Sequence, residues 1–139
     1  MNRRAQDWPL KLAAFIEESR AVPFAWGSHD CCMFVCDGVR RMTGLELHSG
    51  IPKYGTESEA AGVLEPFGGL ENMVAQRCHE NGFDEVNPAT FAQRGDVVLF
   101  DNSGKPAPGI CVGVEAAFAG RQGLVFHALA ECRRAWRVG

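Results

Sequence analysis

The chain has 139 residues, of which 46% are hydrophobic and 22% are charged, and its formal net charge at pH 7 is −3. This length and composition suit one globular domain over residues 1–139 and exclude an intrinsically disordered chain. The small negative charge offers no basic surface for phosphate groups, so we expect neither nucleic-acid binding nor attachment to a membrane.

The first half of the chain has the pattern of helices separated by loops. Asp30 is a good N-cap for a helix that the pair Thr43-Gly44 would end. Pro23 prevents the preceding helix from continuing, and the segment 44–56 is rich in glycine, which is typical of a loop. Helices are predicted over residues 8–20, 30–42, 57–64 and 70–81.

Beyond Pro88 the chain changes to short apolar runs separated by glycine, proline and asparagine, a pattern that indicates strands. Helices followed by short strands indicate an α+β fold with an antiparallel sheet rather than a repeating βαβ fold. Strands are predicted over residues 97–100, 110–114, 124–126 and 135–138.

The N-terminal residues contain no apolar run long enough for a secretory signal or a spanning helix. We therefore expect synthesis in the cytoplasm, where the six cysteines would be reduced thiols rather than disulfides. No Cys-x-x-Cys pair occurs, so neither a structural zinc site nor another cofactor is expected.

Cys31 is the candidate nucleophile, because it follows Asp30 at the point where a loop becomes a helix. The free N–H groups and the positive dipole end of a helix N-terminus favour the thiolate form of a cysteine. The alternative is that Asp30 only caps the helix and that Cys31 lies in the core. Position alone does not separate these two interpretations.

The segment Trp26–Cys31, with the sequence WGSHDC, resembles the nucleophile motif of the NlpC-type, papain-like cysteine peptidases. In that family an aromatic-glycine turn leads into Asp-Cys at the head of a helix. Three later segments are similar to strands of the family, namely RGDVVLF at 94–100, GICVG at 109–113 and FHA at 126–128. The resemblance implies a papain-like fold with N-terminal helices, an antiparallel sheet and Cys31 as the nucleophile. The whole chain, from Trp8 through Lys53-Tyr54 and Gly68-Gly69 to the segment CRRAWR at 132–137, resembles more specifically a small family encoded among the tail genes of tailed bacteriophages and prophages.

One position departs from the pattern of active NlpC-type peptidases. Their base is a histidine two residues before the glycine of the Gly-Ile strand, and here this position holds Ala107. His127 matches the third position, which orients the base. A cysteine nucleophile needs such a base. Three sources remain open: His127 acting directly on Cys31, His29 reaching back although its side chain is expected to point to solvent, or a histidine of a partner chain.

The remaining charged and aromatic residues have simpler interpretations. Asp96 is expected to accept hydrogen bonds from backbone N–H groups in a turn rather than to bind a metal. Solvent-exposed side chains are predicted for His48, His79, Arg3, Arg4, Arg133, Arg134 and Arg137, and buried ones for Trp8, Trp26 and Trp136.

The resemblance implies two main functions on one fold. In the structural hypothesis the chain is a degenerate NlpC-type domain, made in the bacterial host cytoplasm, that binds other tail proteins at the tail tip or during tail assembly of the virion. In the enzyme hypothesis it cleaves peptidoglycan peptides during phage DNA entry, with Cys31 as nucleophile and His127 as base or orienter. A cysteine acyltransferase would need the same base. The incomplete site favours the structural hypothesis.

Overall fold

Residues 4–139, the part of the chain that this computed structural model describes, form four helices followed by a five-stranded antiparallel sheet. The predicted α+β arrangement is therefore confirmed. The helices are α1 (Trp8–Ser19), α2 (Cys31–Thr43), α3 (Glu57–Leu64) and α4 (Leu70–Glu80). The strands are β1 (Val97–Asn102), β2 (Lys105–Cys111), β3 (Glu115–Gly120), β4 (Gly123–Ala128) and β5 (Cys132–Trp136). None of the helices in this part of the chain is both long and apolar enough to cross a membrane.

The four helices begin and end within one residue of their predicted bounds, because local signals set their ends. At the start of α2 the Asp30 side chain accepts a hydrogen bond from the Met33 N–H at 2.8 Å. At its end Gly44 adopts a φ of 81°, the left-handed conformation that terminates many helices. The loop 44–56 contains no helix or strand, as predicted.

The sheet has the order β4-β3-β2-β1-β5 and contains one strand more than predicted. Strands β1, β4 and β5 overlap predicted strands, whereas β3 was missed because its sequence, EAAFAG, is rich in alanine, a poor strand former. Pairing with β4 along the whole of β3 stabilises the strand conformation, which the local propensity of these residues does not favour.

Strand β2 begins earlier than predicted and contains Pro106 and Pro108. Proline has no N–H to donate, so it is normally confined to positions where one side of the strand is unpaired. Strand β3 pairs with β2 only at Ile110 and Cys111, so the first half of β2 is hydrogen-bonded to β1 alone. The missing N–H groups of the two prolines therefore cost no hydrogen bond to β3.

Each side of the sheet carries its own buried cluster, because alternate residues of a strand face opposite sides. We call the side that carries Val97, Leu99 and Ile110 the helix face, since these residues share one cluster with residues of α1, α2 and α4. We call the other side, which carries Val98 and Phe118, the outer face. Its cluster includes residues of the single-turn 3-10 helices Ala89–Phe91 and Leu129–Glu131.

Asp96 is a completely buried carboxylate that joins both ends of the chain to β1. It accepts hydrogen bonds from the N–H groups of Gln93 at 2.8 Å and Val138 at 3.1 Å, as expected for a turn. It also forms ion pairs at 2.8 Å with both Arg4 and Arg137. The expectation of a solvated surface charge is therefore wrong for Arg4, while Arg137 stays partly exposed but pairs with a buried carboxylate.

Two further arginines connect β5 to α4 through ion pairs. Arg133 pairs with Glu71 at 2.6 Å, while Arg134 pairs with Glu71 at 3.0 Å and with Glu85 at 2.7 Å. The hydrogen bond from Arg133 lowers the pKa of Glu71 to about 2. Arg133 and Arg134, predicted to be solvent-exposed, thus form ion pairs within the domain. Arg3, which carries the same prediction, lies outside the described residues.

The three tryptophans, all predicted to be buried, occupy different environments. Trp136 is 2% exposed, as predicted. Trp8 is half-buried beneath the guanidinium of Arg4, which lies 4.3 Å from its ring centroid. Trp26 is 38% exposed, which corrects its prediction, and its ring meets Phe24 edge to face.

Substitution of Asp96 by alanine should destabilise the fold by about 3–5 kcal/mol, because it breaks the ion pair between this completely buried carboxylate and the Arg4 guanidinium. The free energy of unfolding from urea denaturation measures this loss. The matched control is Glu18→Ala, which removes a solvent-exposed pair with Arg41 and should leave the free energy of unfolding almost unchanged. Equal losses for the two variants would contradict a special role for Asp96.

Candidate functional site

Cys31 is the first residue of α2 and is half-buried, which confirms its predicted place at the N-terminus of a helix that packs on the sheet. The preceding carboxylate of Asp30 is 1% exposed. It accepts hydrogen bonds from the N–H groups of Gly27 at 2.9 Å and Met33 at 2.8 Å, and from the hydroxyl of Tyr54 at 2.6 Å. Three donors thus hold the Asp30 side chain beside the thiol.

Gly27 allows the loop before α2 to approach Tyr54 closely. Its φ is +82°, and a Cβ added to it would collide with the backbone carbonyl oxygen of Tyr54. Burial and the hydrogen bond to Asp30 raise the pKa of Tyr54, so the hydroxyl remains a donor at ordinary pH. No local pattern predicts a role for this tyrosine at the site, because it belongs to the loop 44–56.

Cys32, the residue after the candidate nucleophile, controls the electrostatics of the Cys31 thiol. A hydrogen bond from the Cys32 side chain, together with backbone N–H groups at the helix start, lowers the pKa of Cys31 against the opposing effects of burial and of Asp30. Donation of that hydrogen bond and burial raise the pKa of Cys32. Cys31 is therefore the thiol of this pair that ionises first.

All six cysteines are free thiols. Burial raises the pKa of Cys36 and Cys78 to about 12 and that of Cys132 to about 11. Within residues 4–139 no group of three or more histidine, cysteine, aspartate or glutamate side chains has an arrangement that could hold a metal ion.

His127 lies on β4 with its side chain on the outer face. Its ring stacks on Phe100 with a centroid distance of 4.1 Å and an interplanar angle of 11°, and it meets Phe118 edge to face at 5.4 Å. Helix α2 covers the opposite side of the sheet, where a Cβ on Gly38 would collide with Ile110. The structure therefore does not bring His127 and Cys31 together.

Ala107, at the strand position that resembles the base histidine, also belongs to the outer face. It is the β2 partner of Phe100 in β1 and packs against the outer-face cluster. Position 107 and His127 are thus neighbours across Phe100. Both are separated from Cys31 by the sheet.

The other histidines do not complete a dyad. His29 was expected to point to solvent, but its ring meets the buried Phe34 at 5.9 Å, and its Nε2 atom is buried without a hydrogen-bond partner. His48 is half-buried rather than exposed, and His79 is exposed as predicted. Across residues 4–139 no hydrogen bond joins an imidazole to Cys31.

Iodoacetamide should label Cys31 before any other cysteine of the native protein at neutral pH, because the thiolate is the reactive form. The rate at Cys31 should rise with pH and level off above its lowered pKa. Cys36 and Cys78, with raised pKa values, should stay unlabelled over that range. Time-resolved peptide mass spectrometry measures the order, with Cys31→Ser as the control. Earlier labelling of Cys36 or Cys78 would refute the assignment.

Comparison with known proteins adds one family. A search of curated proteins found no match to the chain. A family model described as a domain of unknown function, DUF6950, matches residues 3–138. Because that match covers nearly the whole sequence, the chain belongs to the DUF6950 family.

Proposed function

We propose that the chain is a degenerate NlpC-type domain that serves as a tail-tip or tail-assembly subunit of a tailed bacteriophage or prophage. One observation supports the loss of chemistry: α2, which begins at Cys31, packs on the helix face of the sheet, whereas the His127 ring stacks on Phe100 at the outer face. The place among tail proteins rests on the resemblance of the sequence to a tail-gene family. In this proposal the chain is made in the bacterial cytoplasm, binds other tail proteins and ends in the virion tail.

Cys31 has the position of a peptidase nucleophile, but no histidine is placed to act as its base. A lowered pKa helps the Cys31 thiolate to attack a carbonyl carbon, but peptide cleavage also requires a proton for the leaving amine. Ala107 supplies no proton, and His127 is on the far side of the sheet. General acid–base catalysis contributes about a hundred- to ten-thousand-fold to a rate, so turnover should be weak or absent.

His127 has a structural explanation that needs no catalysis. Its ring joins Phe100 and Phe118 in one aromatic cluster that covers part of the outer face. Aromatic pairs of this kind contribute about 0.5–1.5 kcal/mol beyond burial. The histidine of the Phe-His-Ala segment therefore stabilises the sheet in this proposal.

The second candidate is an active cell-wall peptidase that acts on peptidoglycan peptides. The position of Cys31 at a helix N-terminus and its lowered pKa favour this candidate, since both are properties of nucleophilic cysteines. It needs a base that the described residues do not place at the thiol, so a partner chain would have to supply it.

Introduction of a histidine at the apparent base position should not create a peptidase. The Ala107→His side chain would face Phe100 on the outer side of the sheet, where it cannot accept a proton from Cys31. Cleavage of cell-wall peptides by this variant should equal that of the wild type, with the melting temperature checked for both proteins. A gain in cleavage that Cys31→Ala then abolishes would show that position 107 reaches the thiol.

The wild type should show little or no cleavage of the same peptides, and tail assembly should proceed normally with Cys31→Ala. His127→Ala should lower the free energy of unfolding by roughly 0.5–1.5 kcal/mol through the lost ring contacts. Peptide cleavage assays, denaturation and electron microscopy of tails test the three expectations. Robust cleavage that both substitutions abolish, together with unaffected assembly, would establish the peptidase instead.

A further inference from the structure

The two edge strands of the sheet differ in what lies beside them. Strand β5 is covered by the segment 84–86, where Val86 donates its N–H to the Ala135 carbonyl at 2.8 Å. Strand β4, at the opposite edge, receives one contact of this kind from the described chain, in which the Leu124 N–H donates to the Arg20 carbonyl at 3.0 Å. The rest of the β4 edge is therefore open.

The N–H groups of Phe126 and Ala128 point outward along this open part of β4. Backbone hydrogen-bonding groups alternate between the two edges of a strand, so these residues face the same way as Leu124 and away from β3. Within residues 4–139 neither N–H forms a hydrogen bond. The edge thus offers unused backbone donors in a regular strand.

Strand β4 also lacks the features by which proteins usually protect a sheet edge. Its sequence, GLVFHA, contains no lysine, acidic residue or proline, and its six residue pairs with β3 run without a bulge. Val125 is 44% exposed, and Ala128 is exposed as well. An uncharged, regular edge of this kind is a template for another strand.

Charges of opposite sign stand at the two ends of this edge. Arg121 lies in the turn before β4, and Glu131 lies in the 3-10 helix that follows it. Both side chains are exposed, and neither forms an ion pair or a hydrogen bond with residues 4–139. When two such edges run antiparallel, the basic end of each lies beside the acidic end of the other. The edge is therefore complementary to itself.

We propose that β4 pairs antiparallel with β4 of a second copy of this chain and so joins the two sheets into one. The Arg20 carbonyl occupies the edge at Leu124, so the pairing is confined to the residues beyond it. The two-fold axis then lies at His127, and the N–H groups of Phe126 and Ala128 each donate to the carbonyl of the other residue in the second copy. The large ring at position 126 packs beside the small methyl group at position 128. This inference is independent of the proposed function, because it concerns only this chain.

The self-complementary charges assign the edge to a second copy rather than to a different protein. A strand of a different protein would have to carry charges in the reverse order along its length, and a two-fold copy of β4 presents that order already. A two-fold contact also leaves no open β4 edge on either copy.

Sedimentation velocity of the purified full chain measures the association. We expect a monomer–dimer equilibrium with a dissociation constant on the order of 10 µM, as for a small interface. A chain that stays monomeric at roughly 1 mM, or that forms species larger than a dimer, would overturn the proposal.

Proline at position 128 tests the backbone pairing. The φ of Ala128 is −60°, which proline adopts, and its N–H has no partner in the described chain, so Ala128→Pro should keep the melting temperature of the monomer. The dimer should weaken at least roughly tenfold, because one donor is lost on each side of the axis. The matched control, Ala128→Ser, keeps the N–H and should dimerise like the wild type. Equal dimerisation of the two variants would place the contact elsewhere.

Charge reversal tests the orientation of the two strands. Arg121→Glu and Glu131→Arg should each raise the dissociation constant roughly twofold to tenfold, because each variant places like charges side by side at both ends of the pairing. An equal mixture of the two variants should dimerise like the wild type, since every neighbouring pair then has opposite signs. A mixture that does not recover would refute the antiparallel arrangement.

Amide hydrogen exchange, followed by NMR, gives a measurement that needs no variant. Where about nine-tenths of the chain is dimeric, exchange at Phe126 and Ala128 should slow about tenfold, because it proceeds from the remaining monomer. The Leu124 N–H, which is already bonded to Arg20, should change little. A dimer in which Phe126 and Ala128 exchange as fast as in the monomer would overturn the edge pairing.

Discussion

The buried carboxylate of Asp96 is the constraint on which the arrangement of this domain depends. It lies at the start of β1, where the backbone of Cys111 bonds to both Gly95 and Asp96 and so fixes β2. Through Arg4 it holds the segment before α1, and through Arg137 and the Val138 N–H it holds the chain beyond β5. A buried Asp96 carboxylate without partners would strongly destabilise the fold, so the carboxylate depends on all of these donors. The first and last described segments are therefore fixed at one point of the sheet.

The sequence predicted the features that depend on neighbouring residues and missed those that depend on distant ones. Helix ends follow from caps such as Asp30 and Gly44, so all four helices were found, and Cys31 was placed correctly at a helix start. The pairing of Arg4 with Asp96 joins residues 92 positions apart, and no local pattern predicts it. Strand β3 was missed for a related reason, since its alanines become a strand only through pairing with β4.

The same distinction explains why only half of the candidate site was predictable. The cysteine half is local, because the helix start, Asp30 and the adjacent Cys32 are consecutive in the chain. The histidine half depends on which side of the sheet a strand residue faces, and a change of one residue in register moves every side chain to the opposite side. Sequence motifs preserve order and spacing without revealing this choice. The order and spacing of motifs alone therefore do not establish a catalytic geometry.

The pairing between β2 and β3 is the shortest ladder among the described strands. Six residue pairs join β1 to β2 and six join β3 to β4, whereas the β2–β3 ladder pairs only Ile110 and Cys111. Ring contacts of Phe100 with Phe118 and His127 also cross this boundary. Opening this boundary breaks few ladder hydrogen bonds, although the contacts of Phe24 with Gly120 and of Leu124 with Arg20 also retain the hairpin. Regions with few connecting bonds open at lower free energy than the global fold. The β2–β3 boundary is thus the place where local opening of the sheet breaks the fewest ladder pairs, and the contacts of Phe100 with the β3–β4 hairpin oppose that opening.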